Sequence, residues 1–430
     1  MNFNAVAVKE GVDKPLKQLF IARKISEFSL VIFLFFVLFG PKFGSYVDTS
    51  MIMSIAGIMI MAKRKSSLNI SKKFLRYIFF VLFIFTYAMM VMLFNNELDI
   101  VIGGRYLRSI ISMFSIWIVL VGSKYSVSTI IKSLLIVLTL HAITVIITAG
   151  INPQLQEYIS WFNGYEKKIR SYRSTGLMMG FDMAGMICNI GFLLAASSSE
   201  KVMKNITSRI LMLIFITASV LTSRFSIVML VVLMLFFIFY YRKEVYKRFE
   251  VICCSMVVPL ITIPFIILLI STTNLNVNYL YKINDTFPET AILIQEVEAS
   301  YANTNLDSTA SVHFNFDSLT LPQLIFGAGY QPLQDPGYTR TIYSIGILGL
   351  ILNLIWYTKL YLDIQNINRN RVETNKDIIK IVRQVKFVSI CIFVLLLILS
   401  FKNNYFFTGT FFEIFIIMVV IIYKIKWKRF

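Results

Sequence analysis

From about residue 25 to about residue 424 the chain is a succession of apolar runs of roughly 17 to 25 residues, separated by polar or basic stretches. A helix rises ~1.5 Å per residue, so each run can cross ~30 Å of hydrocarbon. Lipid offers no partner for a bare peptide group, which leaves the helix as the state these runs can adopt. Composition agrees. Hydrophobic residues make up 57% of the 430 and charged residues 15%, where a soluble domain carries about a quarter. The expected fold is an all-α polytopic membrane protein, a single integral membrane domain over 1–430.

About twelve spans are expected, near 25–41, 46–62, 75–94, 106–122, 127–149, 177–196, 206–222, 225–241, 250–271, 341–361, 386–402 and 408–424. The first 24 residues are polar and basic, and the run that follows is long enough to stay in the membrane. No cleavable signal peptide is therefore expected. Cys188, Cys253, Cys254 and Cys391 all lie inside apolar runs, which suits small packing residues rather than a disulfide framework or a zinc site.

Basic residues orient the layout. With both termini cytoplasmic, the inner segments hold Lys63-Arg64-Lys65, Arg242-Lys243, Lys247-Arg248 and the cluster at 424–429. Of the 42 Lys and Arg, roughly 30 then face the cytoplasm, about 11 face outward, and Lys132 lies within a span. Tails and loops beside anionic lipid account for the net charge of +19 without any nucleic acid. Outward basic residues include Arg105, Arg108, Lys167, Lys168, Arg170, Arg173, Arg224 and Arg340. Lysine dominates inside, whereas arginine is slightly favoured outside. Together the outward arginines suggest an anionic ligand, because the guanidinium fork matches phosphate oxygens. Scattered, tolerated charge is the plainer alternative for any one of them.

Two outward segments are long: 150–176, with Tyr158, Trp161, Phe162, Tyr165 and Tyr172 among its charges, and about 272–339, rich in Asn, Thr, Ser and Asp. The second is expected to hold a short amphipathic helix near 289–300. Loops of that length between helices are functional or disordered. No repeat relates the two halves of the chain, which counts against many carrier folds.

The strongest local pattern is Gly327-Ala328-Gly329-Tyr330, then Asp335-Pro336-Gly337-Tyr338-Thr339-Arg340, then Gly346 and Gly349 in a Gly-x-x-Gly. Read on its own, it is a glycine turn and a polar outer loop entering a span whose glycines permit close helix packing. A solvated loop before an ordinary packing helix fits it equally.

This segment resembles the signature of the O-antigen ligase and Wzy-type O-antigen polymerase superfamily. Ligases there show His, a small polar residue, nine further residues, then Gly-x-x-Gly. Here Asp335 stands at the His position, Pro336 follows, and Gly346 and Gly349 fall in place. Aspartate at the first position points away from a ligase and towards a polymerase. Arg173-Ser174-Thr175-Gly176 with Gly180, Asp182 and Ala184 is similar to the family's arginine–glycine approach to a mid-chain span, where Asn is common at the position of Asp182. Ser223-Arg224 resembles its Ser-Arg pair.

The resemblance implies a GT-C-like glycosyltransferase with one long late extracytoplasmic loop, in a bacterial cytoplasmic membrane, working without a metal or other cofactor. Its implied partners are undecaprenyl-diphosphate-linked glycan as donor and as acceptor, membrane lipid, and a chain-length regulator. Asp335, as base, with Arg340 and Arg224 are the implied catalytic residues. Arg170, Arg173, Arg105, Arg108, Asp182, Tyr338 and Tyr343 are the implied substrate- or diphosphate-binding residues. A flippase for the same lipid-linked oligosaccharide, an O-antigen ligase, and a receptor or structural membrane protein remain open. Other polar residues have plainer readings: His141 as a packed, hydrogen-bonded histidine, His313 as a solvated loop residue, and Glu413, in the last span, without an identifiable partner.

Overall fold

The computed structural model describes residues 27–43, 47–63, 70–97, 99–123, 125–152, 154–162, 173–178, 180–198, 202–241, 316–332, 337–366, 376–401, 406–407 and 409–427. Among these the chain is helical: α1 (Glu27–Phe39), α2 (Thr49–Lys63), α3 (Lys72–Phe94), α4 (Ile100–Gly122), α5 (Val127–Ile146), α6 (Gln154–Phe162), α7 (Phe181–Ala196), α8 (Asn205–Val220), α9 (Arg224–Tyr240), α10 (Leu321–Phe326), α11 (Gly337–Gln365), α12 (Lys376–Leu399) and α13 (Gly409–Trp427). A π-helical turn, Ile147–Ile151, extends α5. Two two-residue strands, β1 (Lys42–Phe43) and β2 (Val47–Asp48), pair antiparallel between α1 and α2, with Lys42 opposite Asp48.

Five stretches, Lys72–Phe94, Ile100–Gly122, Val127–Ile151, Gly337–Gln365 and Asp377–Leu399, are long and apolar enough to cross a membrane, and α1, α2, α7, α8 and α9 are shorter apolar helices. The expected span at 250–271 and the expected amphipathic helix at 289–300 lie outside the described residues. The outer faces are apolar: Phe79, Phe83, Val228, Val231, Leu235 and Phe239 are exposed on α3 and α9. An apolar surface of that kind is suited to lipid rather than to water.

Helix ends sort into two groups. At one end Asn95 donates to the Gly327 carbonyl, Ser109 to that of Phe407, Thr410 to that of Leu38, and the Tyr338 amide to that of Ser400. At the other, Lys73 pairs with Asp363, Arg383 donates to the Tyr240 carbonyl, Gln384 to that of Leu194, and Lys424 to that of Leu120. Segments assigned outward from their basic residues gather at the first end, and those assigned inward gather at the second.

α13 is the axis of the bundle and packs against α4, α5, α11 and α12. Phe411, Phe412, Ile414, Phe415 and the residues through Ile421 are at most 1% exposed. Beside its N-terminus lies an aromatic cluster of Trp356, Tyr357, Phe406, Phe407 and Phe412, with ring centroids 4.8–5.8 Å apart. Each such pair contributes roughly 0.5–1.5 kcal/mol beyond its buried area.

α11 is not one straight helix. Gly346 has φ 70° and ψ 178° and interrupts it. The Gly-x-x-Gly therefore does something other than seat a helix on a helix: the bare backbone at Gly346 lets the C-terminus of α10 approach, and an added Cβ would run into the Ile325 carbonyl. Gly327 (φ 103°) returns the contact against Ile345 and Gly346. The Ala328 and Gly329 amides both donate to the Tyr343 carbonyl at 2.7 and 3.2 Å, and the Tyr87 hydroxyl donates to the Phe326 and Ile345 carbonyls. A helix break frees carbonyls, and these donors satisfy them.

Gly346→Ala should lower stability by about 2 kcal/mol or more, from a positive φ and a backbone clash together. Gly104→Ala, where an added Cβ meets nothing within 4 Å, should be neutral or slightly stabilising. Equal melting temperatures for Gly346→Ala and wild type in detergent would remove this account of the kink.

Candidate functional site

Asp99 caps α4, its Oδ1 accepting from the Val101 amide at 3.0 Å. The helix thus starts six residues before the apolar run expected at 106, and Arg105 and Arg108 fall inside its first turns rather than in a loop. The same happens at α11, which begins at Gly337 and carries Arg340 in its first turn. A capping residue extends a helix past the point where apolar periodicity begins, so hydropathy alone places such ends late.

Arg108 is neutralised from within. Its Nη1 lies 2.8 Å from Asp48 Oδ2, and its Nη2 3.7 Å from Glu413 Oε1 on α13. Asp48 Oδ1 also accepts from the amide and hydroxyl of Ser50, at 2.9 and 2.5 Å. Burial alone would raise the Asp48 carboxyl, but Arg108, Ser50 and Lys42 outweigh it and hold it below the usual carboxylate value. Burial, reinforced by Arg108, pushes the Lys42 amine below the usual lysine value. Glu413 is 1% exposed and accepts from the Ser112 hydroxyl at 3.3 Å. Sequence reading left Glu413 without a partner; its partners, Arg108 and Ser112, come from α4, remote in the chain.

Arg105, one turn before Arg108, faces a different neighbourhood. Its Nη2 donates to Gln331 Oε1 at 3.2 Å, and the Gln331 amide donates to Asp99 Oδ2, also at 3.2 Å. Arg340 on α11 is close enough to repel Arg105 electrostatically. Between α4 and α11 lies a small cleft lined by Ile102, Arg105, Tyr106, Thr341, Ser344 and Asn353, among others. Its cavity of about 10 Å³ has room for one water, so a larger ligand would sit at its mouth. Deeper in, Asn353 donates to the Tyr106 hydroxyl at 3.4 Å, and its Oδ1 has no partner among the described residues.

A third group forms where 173–178 meets the α8–α9 turn. The Ser174 amide donates to the Leu221 carbonyl at 3.0 Å, which sets Arg173 close to Ser223-Arg224. Buried Gln156 on α6 binds the hydroxyls of Ser174 and Thr175, and Thr148 on the π-helical turn joins Ser174. Ser223 caps α9 with its Oγ on the Ser226 amide at 3.1 Å, leaving Arg224 exposed at the first helical position. Asp182 stands in the first turn of α7, where a carboxylate suits the helix dipole. Met178 lies beside Thr410 and Met183 beside Gly409, so this group flanks the N-terminus of α13 on one side while Arg105 flanks it on the other.

The two tyrosines are held by protein. Tyr338 gives its hydroxyl to the Leu397 carbonyl at 2.8 Å, and Tyr343 pairs with Ser318 at 2.7 Å, both with rings packed on aromatic neighbours. His141 is fully buried, its Nδ1 accepting from the Leu177 amide and its ring stacked on Phe39. Asp335, Arg170 and His313 lie outside the described residues. The structure therefore sets Arg340 within electrostatic range of Arg105, groups Arg173 with Arg224 and the start of α7, and withdraws Arg108 into an ion cluster. Gln331 was missed; a neutral side chain in a long polar loop carries no signal that periodicity or charge pattern detects. No protein-family model matches this chain, and no curated protein does.

Arg108→Ala would strand the Glu413 carboxylate in the bundle and should cost about 3–5 kcal/mol. Adding Glu413→Gln should recover at least ~1 kcal/mol, so the double variant loses less than the two singles combined. Strict additivity in detergent melts would mean that the two residues do not interact. The Asp48 carboxyl titrates lower in the folded state than in the unfolded chain, so its contribution is present at neutral pH and lost as pH falls through the folded value. Asp48→Asn should flatten the melting temperature against pH below pH ~4.

Proposed function

We propose that this chain polymerises lipid-diphosphate-linked oligosaccharide repeat units into a surface polysaccharide on the outer face of a bacterial cytoplasmic membrane. The observation that carries the reading is Arg105, a part-buried arginine that lines the cleft between α4 and α11, with Arg340 in the first turn of α11 within electrostatic range of it. Like charges set side by side repel, and an anion shared between them offsets that cost. In the sequence, Asp335 stands five residues before Arg340. The apolar runs add about twelve spans, the basic-residue bias both termini cytoplasmic, and the family resemblance a GT-C-like arrangement.

In this reading the diphosphate of an undecaprenyl-linked glycan is the leaving group. Negative charge builds on its oxygens as the glycosidic bond breaks, and arginines already in position stabilise it without reorganisation. Arg105 and Arg340 form the central pair. Arg173 and Arg224 form a second basic group across the α13 N-terminus that would hold the second lipid-linked chain, a role the sequence reading also gives Arg170. Asp335 would take the proton from the attacking sugar hydroxyl. Arg108 keeps α4 in register rather than touching substrate, because its charge is already matched. Tyr338 and Tyr343 shape the wall, and Asp182 orders the α7 end.

Replacing Arg340 or Arg224 with Ala in the native host should leave surface glycan at one repeat unit, with protein level unchanged. Lysine at either position should restore short chains only, because the bidentate fork is lost. Full-length ladders in both alanine variants would refute the phosphate-clamp reading. Deleting the gene distinguishes the reactions: glycan capped at one repeat on the outer face is the polymerase outcome, and repeat units stranded on the cytoplasmic side would instead identify a flippase.

A further inference from the structure

We infer that the cleft between α4 and α11 is a binding notch for one hydroxyl group, held by Asn353 and Tyr106. In the free protein the group is a water; with substrate bound it is a ring hydroxyl of the glycan. The glycan half rests on the functional reading above, and the water half does not. Asn353 lies inside α11, beyond the kink at Gly346. It is 1% exposed, its Nδ2 donates to the Tyr106 hydroxyl at 3.4 Å, and its Oδ1 has no partner among the described residues. Turning the amide over does not cure this, because the carbonyl would then face Tyr106 and the NH2 group would be left over. A buried amide with one bare end is costly, and a chain that retains one calls for a partner from outside.

The space and its walls define that partner. A cavity of about 10 Å³ takes a single water-sized group. Besides Asn353 and Tyr106, its walls include Thr341 and Ser344. Their hydroxyls donate along their own helix, to the Gly337 carbonyl at 2.7 Å and the Arg340 carbonyl at 2.5 Å. With those protons committed, the two oxygens can only accept from a ligand. The Tyr106 hydroxyl, which accepts from Asn353, keeps a proton to donate. A group that both donates and accepts matches this set, and a hydroxyl is the smallest that does. A methyl group would leave the amide bare, and a phosphate exceeds the space and brings acceptors where acceptors already prevail.

The walls are held from behind. Tyr106 packs on Phe407 with ring centroids 5.2 Å apart, and the Phe407 amide donates to the Tyr357 hydroxyl at 2.9 Å. The kink in α11 is pinned by Tyr87, whose hydroxyl donates to the Ile345 carbonyl at 3.2 Å. Polar groups fixed in this way are preorganised for a ligand. The notch meets the outside at Arg105, the part-exposed residue of its lining, whereas Tyr106, Thr341, Ser344 and Asn353 are at most 4% exposed. A hydroxyl seated here lies beside Arg105. In the polymerase reading it therefore belongs to the sugar next to the diphosphate, and the resident water marks its position.

Two measurements on the full-length protein in detergent decide this. A cryo-EM map that resolves ordered water should show one water within hydrogen-bond distance of Asn353 in the wild type. An empty notch there overturns the inference outright. The second measurement is binding of lipid-linked repeat units, extracted from the native host after deletion of the gene. Farnesyl diphosphate, which has the diphosphate and no sugar, is measured beside them. Asn353→Leu keeps the side-chain size and removes both polar atoms. It should weaken repeat-unit binding roughly tenfold or more and leave farnesyl diphosphate binding as in wild type. Should that variant fail to fold, Thr341→Val removes one acceptor from the same notch, with a loss of about threefold expected for repeat units alone. Equal loss for both probes would place the effect on the diphosphate and overturn the hydroxyl assignment. Repeat-unit binding as in wild type, with the water present, would make water the only occupant and overturn the glycan half. If wild type binds neither probe while the water is present, the functional reading falls and the notch stands as a water site.

Discussion

Glu413 sits on the most enclosed helix of the bundle, and its carboxylate has to be matched from inside the protein. Leaving it uncompensated would cost several kcal/mol. Arg108 and Ser112 from α4 meet it on one side, and Asp48 from the β-hairpin shares the same guanidinium. This one cluster ties α13 to α4 and to the α1–α2 connection. The outward end of the molecule is organised around that tie, since the N-terminus of α13 is where the remaining polar groups converge.

The tie also separates two arginines three residues apart on one helix. Arg108 is held by carboxylates; Arg105 is held by an amide and repelled by Arg340. Identical side chains one turn apart thus have different surroundings, one between two carboxylates and the other against a neutral amide. Sequence treats them alike, because charge and hydropathy patterns register an arginine and not its counter-ion. The carboxylate-paired member ties α4 to α13 and to the β-hairpin.

The glycine motif shows the same limit. Glycines three residues apart in an apolar helix normally read as a packing groove. In this protein Gly346 breaks the helix so that α10 and Gly327 can reach its backbone, and Gly349 makes room for the side chain of Ile345. The break carries the 327–332 segment onto the α3–α4 turn and so delivers Gln331 to Arg105. A positive φ at Gly346 is a property of the chain path and leaves no trace in the Gly-x-x-Gly spacing.

Sequence by itself determined that this chain is helical and suited to a membrane, and roughly where the described apolar helices lie. All of that follows from local quantities: run length against hydrocarbon thickness, the need to pair every backbone group in lipid, and the bias of basic residues. The expected starts ran late at α4, α11 and α12, at α4 because its capping residue Asp99 extends the helix beyond the apolar run. Tertiary structure alone decided which arginine is neutralised, which faces another arginine, and that Glu413 has a partner at all. Those outcomes depend on Asp48, Arg108 and Glu413 meeting across more than 300 residues of chain, and Coulomb interactions are set by distance in space, which no pattern along the chain encodes.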